Sequence, residues 1–254
     1  MTKRKKTYKT YDSYAFCWAK RLKDGNLAHE FLEKPAMYAR LPKLKGKTVL
    51  CLGCGSGEEC RYIKSLGAKR VVGIDISRDL VAYAKKKISN VEFYLMDIRK
   101  LDFPKNSFDF IYSSLTMHYV KKWDRILSKI YTLLKKGGTF LFSTHHPLKW
   151  GAKIQRLHKV NSFLIGYERY SDGNFKVFGD YFNVRKIKDI WFDEFEVTYY
   201  HQPLSRIISS ILKSGFKIKN FIEPKSLQHA LTKKNGFYEI HNKIPVFMIF
   251  ELKK

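Results

Sequence analysis

The chain has 254 residues, of which 44% are hydrophobic, so it is long and apolar enough to bury a substantial core as one domain with insertions. It has no run of about 18 apolar residues, which excludes an ordinary membrane-spanning helix. Residues 1–9 are basic but no apolar segment follows them, which argues against a secretory signal. The 4 cysteines are too few and too clustered for a disulfide framework, so we expect a cytoplasmic protein.

The charge is strongly basic. Lys and Arg number 49 against 23 Asp and Glu, which gives a net charge of +26. Such a charge favours RNA, an acidic partner or an anionic surface. Apart from residues 3–6, however, the lysines are spread along the whole chain, as they are on a merely solvated basic surface. Binding of nucleic acid is therefore possible but is not favoured.

The N-terminal part is predicted to be helical after a charged, disordered stretch of about ten residues. An aromatic helix begins at residues 11–18, and apolar residues recur over residues 26–41. These side chains either pack against the core or form a lid over a binding site. Pro42 and Gly46 then mark a loop before the first strand.

A glycine-rich turn follows the first predicted strand, Thr48–Leu52. Gly53, Gly55 and Gly57 allow a sharp turn and the close approach of a nucleoside-type cofactor, and a helix is predicted from Glu58. The G-x-G-x-G spacing differs from a dinucleotide fingerprint, and carboxylates at the helix start would repel a pyrophosphate but tolerate a positive sulfonium. Cys51 and Cys54 form a C-x-x-C pair that no second pair completes, so no metal site is predicted.

Together with the next strand, residues 70–77, this turn resembles the class I (Rossmann-like) S-adenosylmethionine-dependent methyltransferases of the small-molecule type. The resemblance implies S-adenosyl-L-methionine as cofactor. It implies that the turn, including Cys54, holds the methionine part, and that Asp75, followed by Ile76, binds the ribose hydroxyls. The N-terminal segment also resembles the lid of such enzymes, which makes Tyr11 and Tyr14 candidate cofactor contacts.

The third strand, predicted over residues 91–98 after a helix at 78–88 with Ser77 as N-cap, also ends in a carboxylate. In the family, Asp97 matches the acceptor of the adenine amino group, and Ile98 matches the residue that packs on the ring. Asp97 could instead cap the turn at residues 99–101. Because ligands of open parallel sheets lie beyond the carboxyl ends of the strands, we favour the cofactor role.

The loop at residues 101–108 resembles a second family signature, which enters the fourth strand, Phe108–Ser113. The resemblance makes Ser113 and Leu115 candidates for lining the cofactor site. His118 could contact the cofactor or the substrate, or could equally be a core histidine. A helix at residues 124–134, capped by a left-handed Gly137, and a fifth strand at residues 139–143 are predicted to follow.

Two histidines after the fifth strand, His145 and His146, are the candidate catalytic residues. Methyl transfer to a hydroxyl or an ammonium group needs a base, which histidine can supply near neutral pH, whereas a carboxylate acceptor needs none. His146 is the stronger candidate, because similar methyltransferases carry a histidine before a proline here. It could instead only shape the loop before Pro147.

Residues 148–214 are unusually aromatic, and a hairpin is predicted over residues 185–192 and 195–201. An insertion at this point of the fold is a place for an acceptor cap. Its aromatic side chains suit a hydrophobic or planar small molecule, or stacked RNA bases. Tyr200 and His201 are the candidate substrate contacts.

The C-terminal part predicts a helix at 204–213, a strand at 216–224, a loop at 225–243 and a last strand at 245–252. The fold class is therefore α/β, a doubly wound, seven-stranded, mostly parallel sheet with an antiparallel last strand, as in the family. We expect one domain with a lid (1–44), a cofactor-binding half (45–146), a substrate-cap insertion (147–203) and a C-terminal sheet half (204–254).

The resemblance implies transfer of a methyl group to an O, N or C atom of a small-molecule acceptor by a monomer or homodimer. Two alternatives stay open. One is a methyltransferase that acts on RNA or protein through the basic surface, and the other is a nucleotide-binding protein, such as a dehydrogenase, that is not a methyltransferase.

Overall fold

The computed structural model describes residues 27–157, 160–191, 195–228, 230 and 236–254. Its strands are β1 (Thr48–Leu52), β2 (Arg70–Asp75), β3 (Glu92–Leu95), β4 (Phe108–Ser113), β5 (Leu134–His145), β6 (Lys153–Leu157), β7 (Val160–Leu164), β8 (Gly166–Arg169), β9 (Phe175–Phe178), β10 (Arg185–Trp191), β11 (Phe195–His201), β12 (Lys217–Ile222) and β13 (Phe247–Lys253). Its α-helices are α1 (Lys34–Tyr38), α2 (Glu58–Ser65), α3 (Arg78–Lys87), α4 (Trp123–Leu133), α5 (Pro147–Gly151), α6 (Leu204–Lys213) and α7 (Phe237–Lys243). A π-helical turn, His29–Glu33, leads into α1.

The central sheet has 7 strands in the order β12-β13-β5-β4-β1-β2-β3. Strands β1 to β5 are parallel to one another, and β13 runs antiparallel between β5 and β12. The order steps outward from β1 in both directions, so ligands are expected at the carboxyl edge beside β1 and β4. The predicted fold class is confirmed.

Alternating side chains of the buried strands build two apolar layers. Leu50 and Leu52 of β1 pack with residues of α4 and α6 on one face of the sheet, whereas Val49 and Cys51 pack with residues of α2 and α3 on the other. Successive side chains of a strand point to opposite faces, so a strand covered on both sides must be apolar throughout. The sequence of β1 is therefore almost entirely apolar and does not alternate with polar residues.

The segment between β5 and α6 consists of α5 and three antiparallel hairpins, β6–β7, β8–β9 and β10–β11. The last hairpin confirms the alternating pattern seen in the sequence, and it pairs Arg185 with His201. Trp150, Val197 and Tyr199 form a small buried cluster under this hairpin. The hairpin thus packs its aromatic face toward the carboxyl ends of β4 and β5.

Two local predictions differ from the structure. Gly137 does not cap α4, because α4 ends at Leu133 and the backbone at Leu134 is already extended and paired with Phe108 of β4. Gly137 has φ 74° and lies where this pairing is irregular. The predicted loop at residues 225–243 ends in α7. Ser77 does cap α3, since its side chain accepts from the Leu80 amide at 3.3 Å.

Candidate active site

The glycine turn lies at the carboxyl end of β1, between β2 and β4. All three glycines have positive φ, and a Cβ on Gly53 would fall 2.1 Å from Thr116 Oγ1, so the turn packs tightly on its protein side. A Cβ on Gly55 would meet nothing within 4 Å. Gly55 therefore borders open space, where a ligand could lie directly against the backbone.

Asp75 joins this turn to the start of α3. Its Oδ2 accepts from the Gly55 amide at 2.9 Å and its Oδ1 from the Ser77 amide at 2.9 Å. A carboxylate has about four acceptor sites, so Asp75 retains capacity for ligand hydroxyls. Ile76 follows it and is half-buried.

Asp97 lies near Asp75, because the Met96 amide donates to the Asp75 carbonyl at 2.8 Å. Its carboxylate accepts from the Arg99 amide at 2.9 Å and from Arg99 Nε at 2.8 Å. Burial opposes the charge of Asp97, but these hydrogen bonds outweigh burial and lower its pKa. The capping interaction foreseen as the alternative is thus present. Arg99 also contacts Oδ2, through Nε at 2.9 Å and through Nη2, so a ligand would share this carboxylate with Arg99. Ile98 packs against the large apolar core.

The end of β4 is tied to the N-terminal helical segment by a buried carboxylate that the sequence prediction missed. Glu33 Oε1 accepts from Ser114 Oγ at 2.9 Å and from Ser143 Oγ, and Ser143 Oγ accepts from the Leu115 amide at 2.9 Å. Leu115 has the rare φ of 46° for a residue other than glycine. Ser113 is buried and donates to the Leu52 carbonyl at 3.3 Å.

His29 connects Glu33 to the first turn of α2. Its Nδ1 lies 2.9 Å from Glu33 Oε2, and its Nε2 lies 3.5 Å from Glu59 Oε1. Burial acts to lower the pKa of His29, but the hydrogen bonds to the two carboxylates outweigh burial and raise it to about 10. The imidazolium thus links the N-terminal helix with the helix that follows the glycine turn.

This link predicts a pH dependence of stability. Because the folded pKa of His29 is about 10 against an ordinary value of 6.5, its contribution is fully present below pH 6.5 and is lost as pH rises through about 10. We expect the difference in unfolding free energy between wild type and His29→Gln to shrink steadily over this interval. Urea unfolding at pH 6.5, 8 and 10 measures it, and a difference that is constant over the interval would contradict the charged His29.

A narrow cavity, which we call the histidine cavity, lies at the carboxyl ends of β4 and β5, under the β10–β11 hairpin. It brings together four of the residues predicted for the site, namely His118, His145, Tyr200 and His201. The rings of His118 and His145 stack 3.7 Å apart, and the ring of His145 stacks on Trp150 at 4.5 Å. Burial lowers the pKa of His118 to about 3 and lowers that of His145 as well, so both imidazoles are neutral at pH 7.

His146 is engaged elsewhere. Its Nδ1 accepts from the Leu148 amide at 3.1 Å, and its Nε2 lies 2.7 Å from Glu223 Oε1. A neutral His146 with this pairing carries its proton on Nε2, so neither ring nitrogen has a lone pair to spare for an acceptor. The contacts are those of the structural alternative, a histidine that shapes the loop before Pro147. Tyr11 and Tyr14 lie outside the described residues.

Comparisons with known proteins agree with this geometry. A family profile described as "Methyltransferase domain" matches residues 50–142, which include the glycine turn, Asp75 and Asp97. A crystal structure of an S-adenosylmethionine-dependent methyltransferase from Mesorhizobium loti superposes with a TM-score of 0.72 at 27% identity, over 87% of this chain and 97% of that one. The structure of a putative S-adenosylmethionine-dependent methyltransferase from Listeria monocytogenes superposes with a TM-score of 0.70 at 28% identity, over 87% of this chain and 96% of that one.

The chain carries a methyltransferase domain and has the class I, Rossmann-like fold of S-adenosylmethionine-dependent methyltransferases. Among curated relatives, an uncharacterised protein of Haemophilus influenzae is 29% identical over 87% of both chains. A malonyl-[acyl-carrier protein] O-methyltransferase of Pectobacterium atrosepticum is 30% identical over 42% of both chains. A fatty-acid O-methyltransferase of Mycolicibacterium smegmatis is 28% identical over 41% of this chain and 39% of its own.

The cofactor of the methyltransferase is therefore S-adenosylmethionine, and the residues present fit it. Gly55 leaves open space where a Cβ would otherwise stand, and Asp75 lies beside that space on the next strand. In the part of the chain that the structure describes, no cluster of His, Cys, Asp or Glu could hold a metal ion. The described residues also include no helix that is both long and apolar enough to cross a membrane.

Glu33 and His29 of the methyltransferase could have been found in the sequence. They are four residues apart and fall on the same helical face as Leu32 and Met37, both of which are buried. Polar residues on an apolar helical face are a signal for a buried polar contact. Their partners, Glu59, Ser114 and Ser143, are far away in the chain, and no local pattern points to them.

Proposed function

We propose that this methyltransferase transfers the methyl group of S-adenosylmethionine to an O, N or C atom of a small-molecule acceptor held in the histidine cavity. The observation that carries the proposal is the position of this cavity. It lies at the same carboxyl edge of the sheet as the glycine turn, and buried aromatic and polar side chains line it. Concave sites that combine apolar walls with a few polar groups are typical of small-molecule binding. In this proposal, residues 147–203 act as the acceptor cap.

The bound cofactor would supply an electrophilic methyl group on a sulfonium, which a nucleophile displaces in line. The protein would hold the cofactor and the acceptor in the geometry that the displacement needs. The glycine turn would hold the methionine part against its backbone, Asp75 would accept from the ribose hydroxyls, and Asp97 with Ile98 would hold the adenine. Fixing both reactants in line is a large share of the catalysis of such displacements.

Asp75→Ala is expected to weaken binding of S-adenosylhomocysteine by about 1 to 3 kcal/mol, because the ribose hydroxyls lose a charged acceptor and the Gly55 amide loses its partner. Calorimetric titration measures this loss. Asp79→Ala, which removes an exposed carboxylate from the first turn of α3, is the matched control and should bind as wild type. NAD should give no binding heat, and unchanged affinity of Asp75→Ala would refute the assigned role.

The names of two relatives support a small acceptor, since one is named for malonyl-[acyl-carrier protein] and the other for a fatty acid. The net charge of +26 favours the alternative, an RNA or protein acceptor on the basic surface. The salt dependence of binding distinguishes a small acceptor from an RNA acceptor, because binding to nucleic acid through lysines weakens steeply with ionic strength. Salt-sensitive retention of RNA together with labelling of RNA by the methyl donor would favour the alternative.

We also propose that the protein works in the cytoplasm. Cys51, Cys54 and Cys60 are buried free thiols, and a reducing compartment suits such residues.

A further inference from the structure

Three side chains of the histidine cavity carry buried polar atoms that lack a hydrogen-bond partner among the described residues. These atoms are Nδ1 and Nε2 of His118, Nδ1 of His201 and Nε1 of Trp150. The relative exposures of these residues are 2%, 1% and 8%. Buried polar groups in proteins are almost always paired, so these three side chains need partners from a bound ligand or an ordered water. The free volume of the cavity is about 10 Å³, which is room for one water, so an acceptor would bind only if the β10–β11 hairpin moves outward.

The hydrogen bond of His201 determines what its free nitrogen can do. Its Nε2 lies 2.8 Å from the carbonyl oxygen of Tyr181. A carbonyl oxygen only accepts, so Nε2 must carry the proton and donate it. In the neutral ring, Nδ1 then has a lone pair and no proton. His201 therefore presents a buried acceptor, held in one tautomer by the backbone, which is the arrangement of a general base.

The described lining carries aromatic rings and no fixed charge. It consists of His118, Trp123, Thr144, His145, Pro147, Trp150, Tyr200, His201, Gln202 and Ile207. Burial lowers the pKa of each of the three histidines, so they are neutral at pH 7. Lys149 is not part of the lining, and its Nζ lies 5.1 Å from the Trp150 ring centre and 4.8 Å from that of Phe163. A charged acceptor would lose its hydration here without contacting a counter-charge in the lining, and Lys149 acts on the cavity only from behind Trp150.

We propose that the acceptor is a planar, uncharged molecule that presents an O–H or N–H group, and that Nδ1 of His201 is the base that takes its proton. This inference rests on the proposed function, and it names the substrate class of the same cavity. It differs from what the fatty-acid relative is named for, since a carboxylate is charged and needs no base.

In the proposed step, the acceptor's oxygen or nitrogen would form a bond to the methyl carbon while the carbon–sulfur bond breaks, and the electron pair of that bond would stay on sulfur. The acceptor's proton moves to Nδ1 of His201, and the resulting imidazolium keeps its Nε2–H bond to the Tyr181 carbonyl. Asp180 favours the protonated ring and Arg185 opposes it, while His118 and His145 across the cavity are neutral.

Binding tests the substrate class without turnover. The protein saturated with S-adenosylhomocysteine is titrated in a calorimeter with phenol, anisole, benzoate and benzylamine. We expect phenol to bind at least tenfold tighter than the two charged probes and tighter than anisole, which lacks the transferable proton. Binding of phenol should hold from pH 8 to about 6.5 and weaken at lower pH, as Nδ1 becomes protonated. Benzoate or benzylamine binding as tightly as phenol would overturn the inference.

His201→Gln tests the base. The glutamine amide can still donate to the Tyr181 carbonyl but offers no acceptor at the Nδ1 position, so phenol affinity should fall toward that of anisole. With labelled methyl donor and separate pools of phenols, carboxylates, amines and RNA, wild type should label phenols. His201→Gln should label them about 10² to 10⁴ times more slowly. Its thermal unfolding and its affinity for S-adenosylhomocysteine should match those of wild type.

The outcomes separate this inference from the proposed function. Labelling of carboxylates or of alkyl amines, which are charged at neutral pH, would overturn the inference and leave the proposed function standing. Equal labelling by His201→Gln, or loss of labelling in His146→Gln instead, would do the same. Labelling of RNA alone, with no probe bound to the S-adenosylhomocysteine complex, would overturn both.

Discussion

Gly55→Ala is expected to weaken the binding of S-adenosylhomocysteine by about 10- to 100-fold, which corresponds to about 1.4 to 2.8 kcal/mol. The physical reason is steric. A Cβ at this position meets no protein atom within 4 Å, so it would project into the open space that the cofactor is proposed to fill. The amide of Gly55 is held by Asp75 at 2.9 Å, which limits how far the turn can move to make room.

Gly46→Ala separates this steric effect from backbone strain. Gly46 has φ +76° and Gly55 has φ +51°, and a Cβ added at either position would meet no atom within 4 Å. Alanine in the left-handed region costs roughly 1–2 kcal/mol at either position, so both variants should unfold at slightly lower temperature. Only Gly55→Ala should lose cofactor affinity, as titration calorimetry would show. Equal affinities of the two variants for S-adenosylhomocysteine would show that the glycine turn does not contact the cofactor.

The cofactor half was predictable from sequence because its determinants are local. A buried strand, three glycines at fixed spacing and a carboxylate after the next strand lie within one short stretch, and the structure places Gly55 and Asp75 in contact. The sheet follows from the same alternation of apolar strands and helices. Gly137 shows the limit of local rules, because pairing of Leu134 with β4 ends the helix before the glycine can cap it.

The acceptor side could not be predicted to the same depth. His118, His145 and His201 come from three separate elements, and only the packing of the hairpin against the ends of β4 and β5 brings them around one cavity. The sequence favoured His146 as the base because of the proline that follows it. Its hydrogen bond from the Leu148 amide depends on backbone geometry, and its close contact with Glu223 depends on a residue distant in the chain.

Glu33→Ala is expected to lower the free energy of unfolding by about 3 kcal/mol, because the buried His29 charge loses its Glu33 partner and two serine hydroxyls lose their acceptor. Urea unfolding at pH 7 measures the loss. Glu30→Ala is the control from the same helical turn. Glu30 pairs with Lys34 at 3.3 Å with both side chains partly exposed, and loss of such a pair costs about 0 to 1 kcal/mol.

The double variant His29→Ala, Glu33→Ala tests whether the loss comes from the pair. If His29 and Glu33 stabilise the fold through each other, the double variant should lose clearly less than the sum of the two single losses. Cofactor affinity gives a second measurement. Ser143 Oγ, which contacts Glu33, also accepts a hydrogen bond from the Leu115 amide beside the candidate cofactor site. Glu33→Ala should therefore weaken S-adenosylhomocysteine binding as well. Stability and affinity equal to those of Glu30→Ala would mean that Glu33 does not connect the N-terminal helix to the site.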